Sequence, residues 1–404
     1  MYEWIVIGGG IHGVHLAARL LGEAKIPASG LRIVDPAKQL LSRWSECTAT
    51  TGMKYLRSPG VHHLGMKPLA LQHFAGKRKT RKPGLFAAPY ERPSLELFNS
   101  HCRQVIETHG LADLHVQDRV VQCRVDCDSV SLGLASGERL QARQVLLAVG
   151  TSDQPAWPKW APRDDARIHH VFENGFDGWP TSKETICVLG GGISAAQVSL
   201  RLWKDGHQVH LVKRHEQKEH QFDSDPGWLG PKLMNGFVKE MNADRRRAII
   251  TSARHRGSLP PDVRRQLQRA LIGESLQQHT DEVKSLDVEP DSLKLRFAAE
   301  KVLRVDRLLL ATGFESQRPG GKMVDDLIAS CSLPCASCGY PIVDSALRWH
   351  PRIYVAGPLA ELEIGPVSRN IAGARRAADR LIDGLLSHRP GHMKMTSAES
   401  PQTS

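Results

Sequence analysis

Hydrophobic and polar positions along the chain sort into short continuous apolar runs separated by stretches with helical spacing. Trp4-Ile-Val-Ile7 is one such run; it feeds Gly8-Gly9-Gly10-Ile11-His12-Gly13, after which Val14 to Leu21 carry apolar residues one helical turn apart. The pattern predicts strand, tight turn, helix. Leu31-Arg-Ile-Val34 is a second run and closes on Asp35, while Pro93-Ser94 opens a predicted helix through about Thr108. Residues 114–149 alternate in the manner of strands, turn at Ser136-Gly137 and end in Leu146-Leu-Ala-Val-Gly150-Thr151.

The same order returns further on. Thr185-Ile-Cys-Val-Leu189 runs into Gly190-Gly191-Gly192-Ile193-Ser194-Ala195, then a helix, then the strand Gln208-Val-His-Leu-Val212, and Leu308-Leu-Leu-Ala-Thr-Gly313 repeats the strand end at Gly150. An internal duplication of a strand, glycine turn and helix implies two nucleotide-binding units. The class expected is α/β, with two Rossmann-like three-layer nucleotide-binding domains.

The glycines have separate tasks. Gly8 turns the chain, Gly10 lets backbone approach a pyrophosphate, and Gly13 allows close helix packing; Gly190, Gly192 and Ala195 repeat the set. Asp35, about 20 residues after the first turn, is placed to meet a ribose hydroxyl. Its counterpart in the second unit is the cation pair Lys213-Arg214. A carboxylate repels a 2′-phosphate and a cation attracts one, so the sequence implies FAD in the first unit and NADPH in the second. Ser194, at the second turn, joins the NADPH site.

Composition changes the picture little. The 404 residues allow more than one domain, no run reaches membrane-spanning length, and the first strand begins within five residues, so a cytoplasmic protein without a signal peptide is expected. The net charge of +11 favours anionic partners, yet the basic run Lys77–Lys82 lacks interleaved aromatics and no nucleic-acid-binding module is visible. Nucleic acid and membrane are therefore not expected as partners. Of the 8 cysteines, Cys331, Cys335 and Cys338 have CxxxCxxC spacing, open to an iron–sulfur cluster or zinc; a surface loop with incidental thiols is the favoured reading. The stretch from Ala37 to about Pro93, with Trp44, is loop-rich, and its earlier part is placed to cover the far end of the first cofactor.

With both units in hand, the chain resembles the two-dinucleotide-binding-domain flavoproteins, which include the disulfide reductases, the flavin-containing and Baeyer–Villiger monooxygenases, and the lysine/ornithine N-hydroxylases. The resemblance implies an NADPH domain inserted into a discontinuous FAD domain. Residues 1–150 and 319–388 would form the FAD part, 151–180 a connection, 181–318 the NADPH part, and 389–404 a disordered tail. Gly365-Pro366 leads into a helix expected from Ser368 to about Leu386, and by the same analogy Gly357 and this Gly365-Pro366 helix start would lie against the flavin.

Two features choose among the branches. Reductases need two closely spaced cysteines beside the flavin, whereas Cys47 stands alone and Cys187 lies within a strand; Pro358 also replaces the Asp usual after Gly357. His169, His170 and Phe176 are similar to the end of the flavin-monooxygenase FxGxxxHxxxF/Y fingerprint, and Met53-Lys54 with Leu56-Arg57 is similar to a stretch of the amine N-hydroxylases. The resemblance implies an FAD-dependent, NADPH-consuming monooxygenase, acting through a flavin C4a-(hydro)peroxide on a small amine-type or carbonyl substrate with O2. No acid/base side chain is demanded and none is named as catalytic, because the cofactor carries the hard step. A flavin oxidoreductase with a non-oxygen acceptor and a dinucleotide-dependent binding or regulatory protein remain as alternatives, and no oligomeric state is implied.

Overall fold

The computed structural model describes residues 1–387; the tail expected at 389–404 lies outside the described residues. Two sheets organise the chain, the first with a parallel centre and antiparallel additions, the second wholly parallel. In the first, the strands run in the order Arg348–His350, Ile353–Val355, Arg139–Leu147, Tyr2–Ile7, Leu31–Asp35 and His115–Gln117, with a hairpin of Val120–Val125 and Val130–Leu134 attached to Arg139–Leu147. In the second the order is Leu276–Thr280, Gln208–Lys213, Thr185–Leu189, Arg307–Leu310 and Ile168–His170, all parallel.

Parallel strands with helices on both faces are buried on both sides, which is why these runs read as continuous rather than alternating apolar stretches. Ile5, Val6, Ile33, Val145 and Leu147 are fully or almost fully buried in one sheet, as are Ile186, Val188, Val209, Leu211 and Leu309 in the other. Helix Ile11–Gly22 packs between the first sheet and helix Ile371–Ser387. Helix Leu95–Thr108 begins where the sequence places it, because the Ser94 hydroxyl accepts from Leu97 N at 3.2 Å and satisfies an otherwise orphaned amide.

Two expectations are revised. The stretch 151–180 is more than a connection, since Ile168–His170 forms the edge strand of the second sheet. The C-terminal helix, expected from Ser368, starts at Ile371. Gly365 has φ +87° and Ser368 Oγ donates to Gly357 O at 2.6 Å, so residues 365–370 form a buried turn against the last strand before the helix begins.

Arginines join the two sheets' surroundings. Arg57 donates to the carbonyls of His220, Gln221 and Phe222 and to Ser258 Oγ at 2.7–2.9 Å. Arg92, 3% exposed in its side chain, pairs with Asp262 at 3.0 Å, and Arg201 reaches the carbonyls of Ala49 and Thr50. These contacts tie the segments around the second sheet to those around the first.

Candidate functional site: two nucleotide cradles

The two turns are built alike. Gly8 N donates to Val34 O at 2.8 Å and Gly190 N to Val212 O at 2.9 Å, each at the carboxyl end of the neighbouring strand. A Cβ on Gly8 would lie 2.6 Å from Ala148 O, and one on Gly190 would lie 2.4 Å from Ala311 O. Both positions thus require the missing side chain. A Cβ on Gly13 would fall 1.8 Å from Gly8 O, which fixes how near the helix comes to the strand. Over Gly10 and Gly192 a Cβ would meet nothing within 4 Å. These middle glycines face open space at a helix N-terminus, where free amides and the helix dipole favour phosphate.

Asp35 closes the first cradle. Its Oδ2 accepts from Gly9 N at 2.6 Å and its Oδ1 from Ala37 N at 2.9 Å, leaving lone pairs free for hydroxyl donors. A cleft of about 590 Å3 runs along this edge, lined in part by Gly8, Asp35, Arg43, Glu46, Gly150 and Met323. Trp44 does not line it. Its indole donates to Asn99 Oδ1 at 2.9 Å and its ring packs on Phe98, so the helix Ser42–Thr51 turns Arg43 and Glu46 to the cleft and Trp44 to the core. Arg43 is itself anchored to the carbonyls of Ser152 and Phe172.

In the second cradle Ser194 sits in the first turn of helix Ile193–Lys204, and Gly313, with φ +81°, accepts from Ala156 N at 2.9 Å just past its strand. Lys213 occupies the place equivalent to Asp35 but does not present its charge there. Its side chain is fully buried and Nζ donates to Glu216 at 2.9 Å, so only Arg214, which is exposed, remains free at that strand end. His170 Nε2 lies 3.2 Å from Thr312 Oγ1 and His169 packs edge-on to Phe176, which places the fingerprint-like residues at the outer strand of the second sheet. Cys331, Cys335 and Cys338 are free, and among the described residues no three His, Cys, Asp or Glu side chains gather as a metal site.

Between the cradles lies a set of residues that sequence reasoning passed over. The His12 ring stands against Gly357, where an added Cβ would lie 3.7 Å from it. Asn370 Nδ2 donates to Asp223 Oδ1 at 3.1 Å, and Asp223 Oδ2 is 3.8 Å from Arg254 Nη2. Burial and then the Arg369 charge push Arg254 down to about 10, against the pull of Asp223. Arg247 and Arg369 are both paired to the buried Glu361. A Cβ on Gly257 would come within 3.8 Å of Gly191 O, so the segment following Arg254 reaches the second cradle. The one sequence sign of this set was a histidine inside a glycine turn, where small or apolar residues ordinarily serve helix packing.

The residues present fit a dinucleotide in each turn: the space over Gly10 and Gly192 is open, and the His12 ring nitrogens are buried without a partner. Residues 78–255 match the family described as pyridine nucleotide-disulphide oxidoreductase. A ferredoxin–NADP reductase from Ignicoccus hospitalis is 26% identical over 101 residues, a match covering 25% of this chain and 32% of that protein's length. Among solved structures, an FAD-bound cadaverine monooxygenase of desferrioxamine biosynthesis from Erwinia amylovora superposes with TM-score 0.74 at 17% identity, covering 100% of this chain and 99% of its own. The ornithine hydroxylase of Pseudomonas aeruginosa gives TM-score 0.73 at 15% identity, and the L-lysine 6-monooxygenase of Pseudomonas syringae 0.73 at 18%, each covering 96% of this chain and 99% of its own. Over its length the chain has the two-domain fold of the FAD- and NAD(P)-binding flavoprotein oxidoreductases.

Proposed function

We propose that this protein is an FAD-dependent, NADPH-consuming oxidoreductase, and specifically a monooxygenase acting on a small amine-type substrate with O2. The observation that carries the reading is the pair of matched cradles, Gly8–Val34 and Gly190–Val212, in a single chain whose two halves are tied by Arg57 and Arg92. The similarity to amine-hydroxylating structures favours an amine nitrogen over a carbonyl carbon as the atom oxygenated.

FAD belongs on Gly8, Gly10, Gly13 and Asp35, with Gly150 beside it and the Gly357 turn at its far end. NADPH belongs on Gly190, Gly192, Ser194 and Arg214, with Gly313 beside it. The first sheet, including its returning strand Ile353–Val355, is the FAD half, and the second sheet is the NADPH half. When bound, the flavin would accept hydride from the nicotinamide and pass electrons to oxygen. The chain supplies the rest: backbone amides for phosphate and Asp35 for ribose. The cationic surplus around Arg254 suits a substrate that carries an anionic group as well as its amine. No helix among the described residues is long and apolar enough to cross a membrane. We place the protein in the cytoplasm, in keeping with its unpaired cysteines.

Stopped-flow spectroscopy tests the reading. The purified protein should carry or take up FAD, be reduced by NADPH, and on mixing with air pass through a long-lived species that is neither reduced nor oxidised flavin. Direct return to oxidised flavin would favour electron transfer to another acceptor. A colourless protein that takes up no FAD and ignores NADPH would overturn the assignment.

A further inference from the structure

His12 lies in the first turn of helix Ile11–Gly22, two residues beyond the open space at Gly10 and against the Gly357 turn. Both ring nitrogens are buried and neither has a hydrogen-bond partner. Burial lowers its pKa to about 4, against the opposing pull of the Asn370 backbone, so the ring is neutral at physiological pH. A neutral imidazole has one donor and one acceptor, and leaving both unmet in a protein interior is costly. The adjoining turn offers little: Gly357 O already accepts from Ser368 Oγ, and Pro358 has no amide hydrogen to give.

The chemistry of the missing partner follows from the ring. A phosphate oxygen only accepts and could satisfy one nitrogen. A hydroxyl both donates and accepts, so a run of vicinal hydroxyls can satisfy both. Building on the FAD assignment above, we infer that His12 holds the ribityl chain of the bound flavin, donating to one hydroxyl and accepting from another. The imidazole is thus part of the cofactor site.

The test compares His12→Phe, which keeps an aromatic ring but neither polar function, with His12→Gln, which keeps a donor and an acceptor, using the full chain stripped of flavin. The readouts are dissociation constants for FAD and for ADP, the flavin midpoint potential, and apoprotein melting temperature. For His12→Phe, FAD binding should weaken about tenfold or more, the scale of one lost buried hydrogen bond, while ADP binding stays within about twofold. The midpoint potential should not move, and the apoprotein should melt no lower than the parent, because an orphaned polar ring has been replaced by an apolar one. His12→Gln should recover most of the affinity. Equal FAD affinity in all three proteins, or an apoprotein of His12→Phe that melts well below the parent, would overturn the inference. Equal weakening of ADP would move the contact to the pyrophosphate, and a shifted potential would move it to the isoalloxazine; either rejects the ribityl assignment. If the parent protein binds no FAD, the cofactor reading itself fails, a result distinct from all of these.

Discussion

The Lys213 ammonium donates to the Glu216 carboxylate at 2.9 Å, with the lysine side chain fully buried and that of Glu216 83% exposed. Glu216 also accepts from Thr280 Oγ1 at 3.2 Å, so the pair is held on two sides. A cation engaged in this way has little charge to spare for a 2′-phosphate. The exposed Arg214 should carry that contact. Arg214→Ala is expected to raise the KM for NADPH about tenfold while leaving that for NADH unchanged, the scale of a charge-assisted contact at a partly exposed site. Lys213→Met should shift it by less than about threefold on the same scale. Steady-state kinetics with both nucleotides decide the matter, and a larger effect at Lys213 would mean that the ammonium leaves Glu216 when the nucleotide binds.

Gly10 and Gly13 make opposite predictions from one motif. A methyl group on Gly13 meets Gly8 O at 1.8 Å and must move the helix, so Gly13→Ala should lower the melting temperature and lose the flavin together. Gly10 has φ −79° and open space above it, so Gly10→Ala should fold as the parent does. It should nonetheless bind FAD poorly, since the added methyl occupies the approach to the phosphates. Flavin content and melting curves of the two variants separate packing from cofactor contact.

Both glycine turns, the strands feeding them and Asp35 were legible because they are local: apolar runs, close glycines and an acid at fixed spacing. What was not legible depends on tertiary direction. Trp44 and Arg43 are adjacent in one helix, and only the position of Asn99 on another helix settles which of them faces the cleft. Lys213 read as a free cation because its partner's role depends on the loop after the strand turning back over it. Gly365-Pro366 read as the lead-in to a helix from Ser368, yet the Ser368 bond to Gly357 O holds the chain in a turn until Ile371. The meeting of His12, Asn370, Asp223 and Arg254 draws on four distant stretches and leaves no local pattern.

Arg92 and Asp262 tie the loop before helix Leu95–Thr108 to the first turn of helix Pro261–Ala270, across the two halves. Removing one member of a buried pair strands the other without its counter-charge. Asp262→Ala leaves a guanidinium that is 3% exposed, and should cost about 3 kcal/mol, the low end of the usual range because Asp262 itself is 28% exposed. Arg92→Met should cost less, as the remaining carboxylate can be hydrated. Denaturant unfolding of the two variants orders them, and the reverse order would show that packing of the arginine stem outweighs its charge.

Buried histidines make the fold sensitive to acid. Burial lowers His12, His62, His63, His101 and His170 to about 4 and His15 to about 3, helped at His15, His62, His63 and His101 by the Arg375 charge. Each is depressed below its unfolded value of 6.5, so the folded state binds fewer protons than the unfolded state between those limits. Their contribution is therefore fully present above pH 6.5 and is lost as pH falls towards 4, at about 1.4 kcal/mol per pH unit for each proton taken up on unfolding. The melting temperature should be level between about pH 7 and 8 and fall steeply between 6.5 and 5, before most carboxylates titrate. His101→Gln, at a ring that packs edge-on to His63 and Phe74, should reduce that slope by close to one proton. A melting temperature that stays flat down to pH 5 would mean that these rings are charged in the folded protein and paired by groups other than those that surround them here.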